Sequence, residues 1–291
     1  MVDRQRLHIP AVDWRRSVWI ALFTALLVVC YRSVIWSTAN TILVSEDMAH
    51  GLFAPVVALI VVWSRREFLL SPVAAPSFWA LPVLGSAALL SVAATLANSS
   101  TFARFALLFS LAGCLLALGG GPTLRKFLFP LAILLFTFPI PTVVYGEVTQ
   151  PLQLLATKLS QTAFELLGIS AFREGNILEL TNMRLSVVEA CSGLRSLLTL
   201  FFVCVAYGYF FESRTLLRFL LVCLAFPCAI LINMLRITAT GLIGQYDPSL
   251  TSGSYHEILG WACFGLGFLI IVGAHRIMRR ISSPGVGEAT V

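Results

Sequence analysis

Charge is scarce in this chain: Asp, Glu, Lys and Arg make up 12% of its 291 residues, against 58% hydrophobic residues and a mean hydropathy of +0.89. A soluble domain of this size has no interior large enough for that much apolar surface, so several segments face lipid. The sequence also lacks CxxC pairs and Cys/His clusters, which removes a metal centre from consideration, and nothing in it calls for a cofactor. Cysteines number seven, an odd count that suits no disulfide framework. Six of them (Cys30, Cys114, Cys204, Cys223, Cys228 and Cys263) lie in apolar runs, where the thiol acts as a small apolar side chain. No internal repeat is evident, so the inverted symmetry common in transporters is not visible.

What is present is a series of apolar runs separated by short basic clusters. The net charge of +6 is therefore an orientation signal for a membrane protein, and nucleic acid is not implied. Arg4, Arg6, Arg15 and Arg16 precede a first span, Ser17 to Trp36, which at about 20 residues exceeds the apolar core of a signal peptide. The expected spans continue as Gly51–Trp63, Phe78–Ala97, Phe102–Leu118, Phe127–Ile140, Leu194–Phe211, Leu216–Gly244 and Ile258–Ala274. Arg65-Arg66, Arg125-Lys126, Arg214 with Arg218, and Arg276 with Arg279 and Arg280 fall in every second connection. The expectation is an all-α polytopic protein of about eight spans, a single domain over 1–291, with both termini in the cytoplasm. Ser37–His50 is expected as a polar outer loop, and Gly119–Lys126 as an inner one.

The segment 141–190 is too long for a simple connection. Val148, Leu152, Leu155, Leu159, Ala163 and Leu166 recur at helical spacing, so an amphipathic helix on the outer surface is expected, ended by Gly168. Asn176–Leu180 and Arg184–Val188, separated by Thr181-Asn182, read as a short hairpin that delivers the chain to Cys191.

Cys191 opens a long apolar helix in Glu189-Ala190-Cys191-Ser192-Gly193-Leu194-Arg195-Ser196. Unpaired amides and the dipole at a helix start favour thiolate over thiol, and Arg195, one turn on, adds positive charge. The competing reading is that Cys, Ser and Gly are small residues that let two helices pack closely. Arg236 lies inside a span, about 12 Å from its outer end at 1.5 Å per residue. Burying a guanidinium there costs at least about 2.5–3.5 kcal/mol, so it faces protein or a wet cavity. Asn233 shares its helical face, and no other span offers a deep carboxylate for a plain structural ion pair. His256 immediately precedes the last span, at the same membrane face as Cys191. A thiolate, an imidazole and a guanidinium at one face fit acyl transfer, through nucleophile, proton carrier and oxyanion stabiliser. His50 is the rival histidine, in His50-Gly51-Leu52-Phe53-Ala54-Pro55, with Pro55 suited to a helix's first turn. His8 and His275 are expected on the cytoplasmic side and take no part.

These residues resemble the exosortases, of the exosortase/archaeosortase group of membrane cysteine transpeptidases. The likeness rests on Glu189 to Ser196, on Asn233-Met234-Leu235-Arg236, on His256, and more loosely on His50-Gly51 with Pro55, and follows nearly the whole chain in order. It implies Cys191 as nucleophile, with Arg236 and His256 completing a sortase-like site and Arg195, Asn233, His50 and Glu189 in supporting positions. It also implies partners: secreted proteins whose tail carries a motif such as Pro-Glu-Pro, one transmembrane helix and a basic cluster. Two other readings stand beside it. One is a transporter or lipid flippase whose Arg236 binds an anionic group, for which Cys191 is dispensable; the other is a non-catalytic assembly factor.

Overall fold

The computed structural model describes residues 14–45, 48–70, 75–187, 193–251 and 253–282. The chain divides into two units, Met1–Pro139 and Ile140–Val291. Among the described residues, Ser100–Thr137, Leu194–Phe211, Thr215–Tyr246 and Glu257–Ser282 are helices long and apolar enough to cross a membrane. A bent pair, Arg16–Cys30 with Arg32–Val44, makes a fifth if it forms one span, and His50–Ser64 and Ala80–Leu96 are shorter apolar helices. The protein is thus an all-α membrane protein in its main architecture.

The first unit holds α1 (Trp14–Cys30), α2 (Arg32–Val44), α3 (Ala49–Ser64), α4 (Arg66–Leu70), α5 (Ala80–Leu96) and α6 (Ser100–Ile133). The straight first span expected to Trp36 is instead broken at Tyr31, where α1 and α2 meet at 69°. The Tyr31 hydroxyl is held 2.9 Å from Ser110 Oγ on α6, which anchors the break. Most of the stretch expected as a polar outer loop is helical, since α2 runs to Val44 and His50 lies in the first turn of α3. Its Ser37 and Thr41 hydroxyls return to the helix backbone, donating to the Val34 and Ser37 carbonyls, while Thr38 Oγ1 accepts from Arg104 Nε of α6. Pro55 falls in the second turn of α3, not the first, because the helix begins at Ala49.

The long α6 carries its own interruption. Gly119 and Gly120 leave helical geometry, and Gly120 has φ +64. A side chain at Gly119 would collide with Thr123 Oγ1 and with Arg16 Nη2. The inner loop expected over Gly119–Lys126 therefore shrinks to two residues. Pro122, which needs no N–H partner near a helix start, lets the second half resume directly.

The second unit holds α7 (Thr142–Leu166), β1 (Ala171–Glu174), β2 (Ile177–Leu180), β3 (Met183–Ser186), α8 (Leu194–Phe211), α9 (Thr215–Tyr246) and α10 (Ser254–Ser282). Its interior is a stripe of Leu194, Leu197, Leu200, Cys204, Leu221, Cys228, Ile232 and Ile271 from α8, α9 and α10. Cys204, Cys228 and Cys263 are buried, fitting their reading as small apolar side chains. The expected amphipathic helix exists as α7, but its buried face is the small and polar one. Thr149, Gln153, Ala156, Thr157, Ser160 and Phe164 are buried, whereas Val148, Leu155 and Leu166 are exposed. Small side chains let α7 approach its neighbours closely, and its larger apolar residues are left outside that contact.

The expected hairpin is β2–β3, which starts within a residue of expectation on both strands and ends β3 at Ser186, short of the expected Val188, itself outside the described residues; a third strand, β1, extends it into a sheet of order β1-β2-β3. Its signal was Ala171-Phe172-Arg173-Glu174 alternating before a Gly175-Asn176 turn, with Gly175 at φ +62. Leu178, Leu180 and Val187 pack with Phe164 and Ile237, fixing the sheet against α7 and the far half of α9.

Candidate active site

The site builds on α9. Asn233 and Arg236 lie one turn apart; Asn233 is buried and Arg236 half-buried. Helix α9 runs on to Tyr246, so Arg236 sits about 15 Å from that end at 1.5 Å per residue. Two glycines close on this stretch from neighbouring helices. Gly193 precedes α8 in a left-handed conformation, φ +71 and ψ −27, and a Cβ there would lie 3.0 Å from Asn233 Nδ2. Gly260 on α10 faces the guanidinium, since a Cβ there would stand 3.9 Å from Arg236 Nη1.

Cys191 and Glu189 lie outside the described residues. Gly193, two residues after Cys191 in the chain, lies close against Asn233. The turn that precedes α8 is thus packed on the helix that carries Arg236.

His256 lies in the first turn of α10. Gly260 is four residues further along, so helical periodicity puts position 256 on the face of α10 directed at Arg236. Between α8, α9 and α10 a narrow cleft is lined by Ser196, Arg236, Gly260, Cys263 and Phe264. Arg195, second residue of α8, is half-buried, and its carbonyl accepts from Thr199 Oγ1 at 2.8 Å.

His50 belongs to the first unit. It is buried at 3% exposure with its ring edge-on to Phe136 at 6.2 Å. Gly51 beside it packs against Ile42 and the Phe136 carbonyl, where an added Cβ would meet contacts of 3.2 and 3.3 Å. Within the unit, His50 is part of a packed helix start instead of an open loop. Among the described residues no group of His, Cys, Asp and Glu could hold a metal ion.

Sequence reasoning set His275 aside, yet it forms the densest polar contact of the second unit. Its Nε2 donates to the Glu212 carboxylate at 2.9 Å, and Nδ1 meets the Tyr207 hydroxyl at 2.9 Å. His275 and Glu212 are both buried. Glu212 Oε1 also accepts from the Arg214 backbone N–H at 2.8 Å. That amide first, then His275, pulls the Glu212 carboxyl down to about 2. Glu212 follows α8 and His275 lies near the last turns of α10, so the network ties those two ends together, far from Arg236. No local motif announces it; the spacing of 63 residues is visible only once the helices are packed.

The family model described as transmembrane exosortase (Exosortase_EpsH) matches residues 36–273 of this chain. No curated protein and no solved structure matches it.

Proposed function

Because the chain belongs to the transmembrane exosortase family, a membrane transpeptidase type of function is its frame, and we propose that it is a cysteine transpeptidase acting through a thioester at Cys191. The observation that carries this is the close approach of Gly193, two residues after Cys191 in the chain, to Asn233, which packs the turn preceding α8 on the helix bearing Arg236. The orientation of α10, with Gly260 at Arg236 Nη1 and position 256 on the same face, supports His256 as the proton carrier.

In the proposed reaction the Cys191 thiolate attacks the scissile carbonyl carbon and the π electrons move onto oxygen. The Arg236 guanidinium donates to that oxyanion, with Asn233 positioning the guanidinium. As the tetrahedral centre collapses, the C–N bond breaks and the leaving amine takes a proton from the His256 imidazolium. An acceptor nucleophile, or water, then gives a proton to His256 as it attacks the thioester, and the Cys191 thiolate leaves. The substrates proposed are secreted proteins with a Pro-Glu-Pro-like tail motif, one transmembrane helix and a basic end. Such a tail suits a site on the outer side of the inner membrane with both chain termini in the cytoplasm.

The test is substrate shortening on an immunoblot with Cys191→Ala and Cys191→Ser, both checked for membrane insertion. Loss of processing in both is expected. Normal processing in either removes the nucleophile role and favours an anion-binding transporter centred on Arg236.

A further inference from the structure

The second unit has one feature that the proposed chemistry leaves unused, the β3 edge of its small sheet, which no described residue pairs with. Two-residue turns join β1 to β2 and β2 to β3, and the register pairs Leu178 with Leu185 and Leu180 with Met183. The Val187 amide donates to the Asn176 carbonyl at 3.0 Å, which sets the phase of the ladder. Met183, Leu185 and Val187 therefore direct their backbone groups inward to β2. Arg184 and Ser186 direct theirs outward.

The two edges of the sheet are treated differently. On β1, the Ala171 carbonyl accepts from Gln161 Nε2 of α7 at 3.4 Å, so a helix side chain covers that edge. On β3, no described residue pairs with the outward N–H and C=O of Arg184 or Ser186. Arg184 instead spends its side chain on the solvent face of the sheet, 3.4 Å from Glu179 and 3.8 Å from Glu174. An uncovered edge is a template for another strand, and proteins ordinarily block such edges. This one is short, charged on its solvent face and held in place. Met183 Sδ packs against α9, where a Cβ on Gly244 would come within 2.5 Å.

Location decides what the edge would take. β3 precedes Cys191 by five residues in the sequence, and it rests on the same helix as Arg236, two turns further along. A strand laid on β3 is thus placed within a few residues, along the chain, of the proposed nucleophile. Resting on the transpeptidase reading, we infer that β3 is the substrate-docking strand: the extended segment preceding the scissile bond pairs with the Arg184 and Ser186 backbone, as a fourth strand. Recognition of that segment then comes from its main chain, with side chains alternating between the sheet's solvent face and its packed face. This accounts for an ordered sheet in a protein otherwise made of helices.

The experiment uses the full chain in proteoliposomes and a synthetic probe: an extended segment, Pro-Glu-Pro, an apolar helix and an Arg/Lys cluster. Backbone amides upstream of the motif are N-methylated one at a time. Strand pairing predicts that KM rises about tenfold at alternate positions and little between them, the scale of a lost hydrogen bond. Ser186→Pro, which deletes an outward N–H without touching the ladder to β2, is expected to raise KM about tenfold at unchanged kcat, while Ser186→Ala has no effect. If the probe is processed and KM ignores every methylation, edge docking is overturned and the transpeptidase reading stands, whatever the proline variant does. If the unmethylated probe is neither cut nor attached to Cys191, both are overturned.

Discussion

Replacing Gly193 with alanine is the most direct way to disturb the site without removing any reacting group. Gly193 sits at φ +71, where an L side chain costs about 1–2 kcal/mol. Its new Cβ would also press on Asn233 Nδ2 at 3.0 Å, tighter than ordinary contact. The strain is relieved either by rotating the backbone toward negative φ, which swings the preceding Cys191 segment, or by pushing Asn233 away from the turn that orients Arg236. Either route enters the reaction barrier, so thioester formation is expected to slow about 5- to 30-fold, the factor equivalent to about 1–2 kcal/mol. Single-turnover trapping of the acyl-enzyme measures it, with melting in detergent to show that the fold survives. The double variant Gly193→Ala/Asn233→Ala removes the collision but keeps the backbone strain. Its loss should fall short of the product of the two single losses. A Gly193→Ala enzyme within twofold of the parent, or strictly multiplicative losses, would refute the role given to the packing of Gly193 on α9.

Arg236→Lys should be nearly as damaging as Arg236→Ala in turnover, because an ammonium cannot deliver the two directed hydrogen bonds of a planar guanidinium; retention of most activity would reduce the residue to a point charge. His256→Ala should slow acyl-enzyme formation by on the order of 10², and an unchanged rate in single-turnover trapping would remove its proton-transfer role; His50→Ala, which empties a buried, packed position, should lower the melting temperature of the protein, and an unchanged melting temperature would contradict that packing role. Glu212→Gln should destabilise the second unit by about 1–3 kcal/mol at neutral pH, read as a lower melting temperature. Since the Glu212 carboxyl is depressed from 4.5 to about 2, the contribution it adds is fully present above about pH 4.5 and disappears as pH falls toward 2. The melting temperatures of parent and variant should therefore converge across that interval, and a constant gap would contradict the assignment.

The long helices of the second unit were legible because each is a single apolar run bounded by charge or glycine. Leu194–Phe211 is found with the expected limits, and Thr215–Tyr246 differs by only a residue or two at each end. The hairpin was legible because Thr181-Asn182 interrupts alternating residues. The first unit was harder. Its polar residues are absorbed by helix-internal hydroxyl bonds and by the packing of Tyr31 on Ser110, so polarity did not mark the loops. The burial of α7 by its Thr and Ser face ran against the amphipathic stripe, because a stripe says which face is apolar and not which one meets protein. Gly193 is a site residue whose importance the motif alone could not assign. Its left-handed backbone and its approach to Asn233 belong to the packed structure, although a glycine just ahead of a helix was the available signal. The Tyr207–His275–Glu212 network left no trace in the sequence beyond three ordinary polar residues.

That network bears on how the second unit can move. The turn joining α8 to α9 is bonded to α10 through Glu212 and His275, and again through Arg214 Nη1, which donates to the Ser282 carbonyl at 3.0 Å. At the opposite tip the short turn Pro248–Thr251 links α9 to α10, and the sheet packs on the far half of α9. Those two helices are therefore held together at both ends, as the two long sides of a closed frame, and the cleft beside Arg236 is bounded by walls whose spacing is fixed from either side of it.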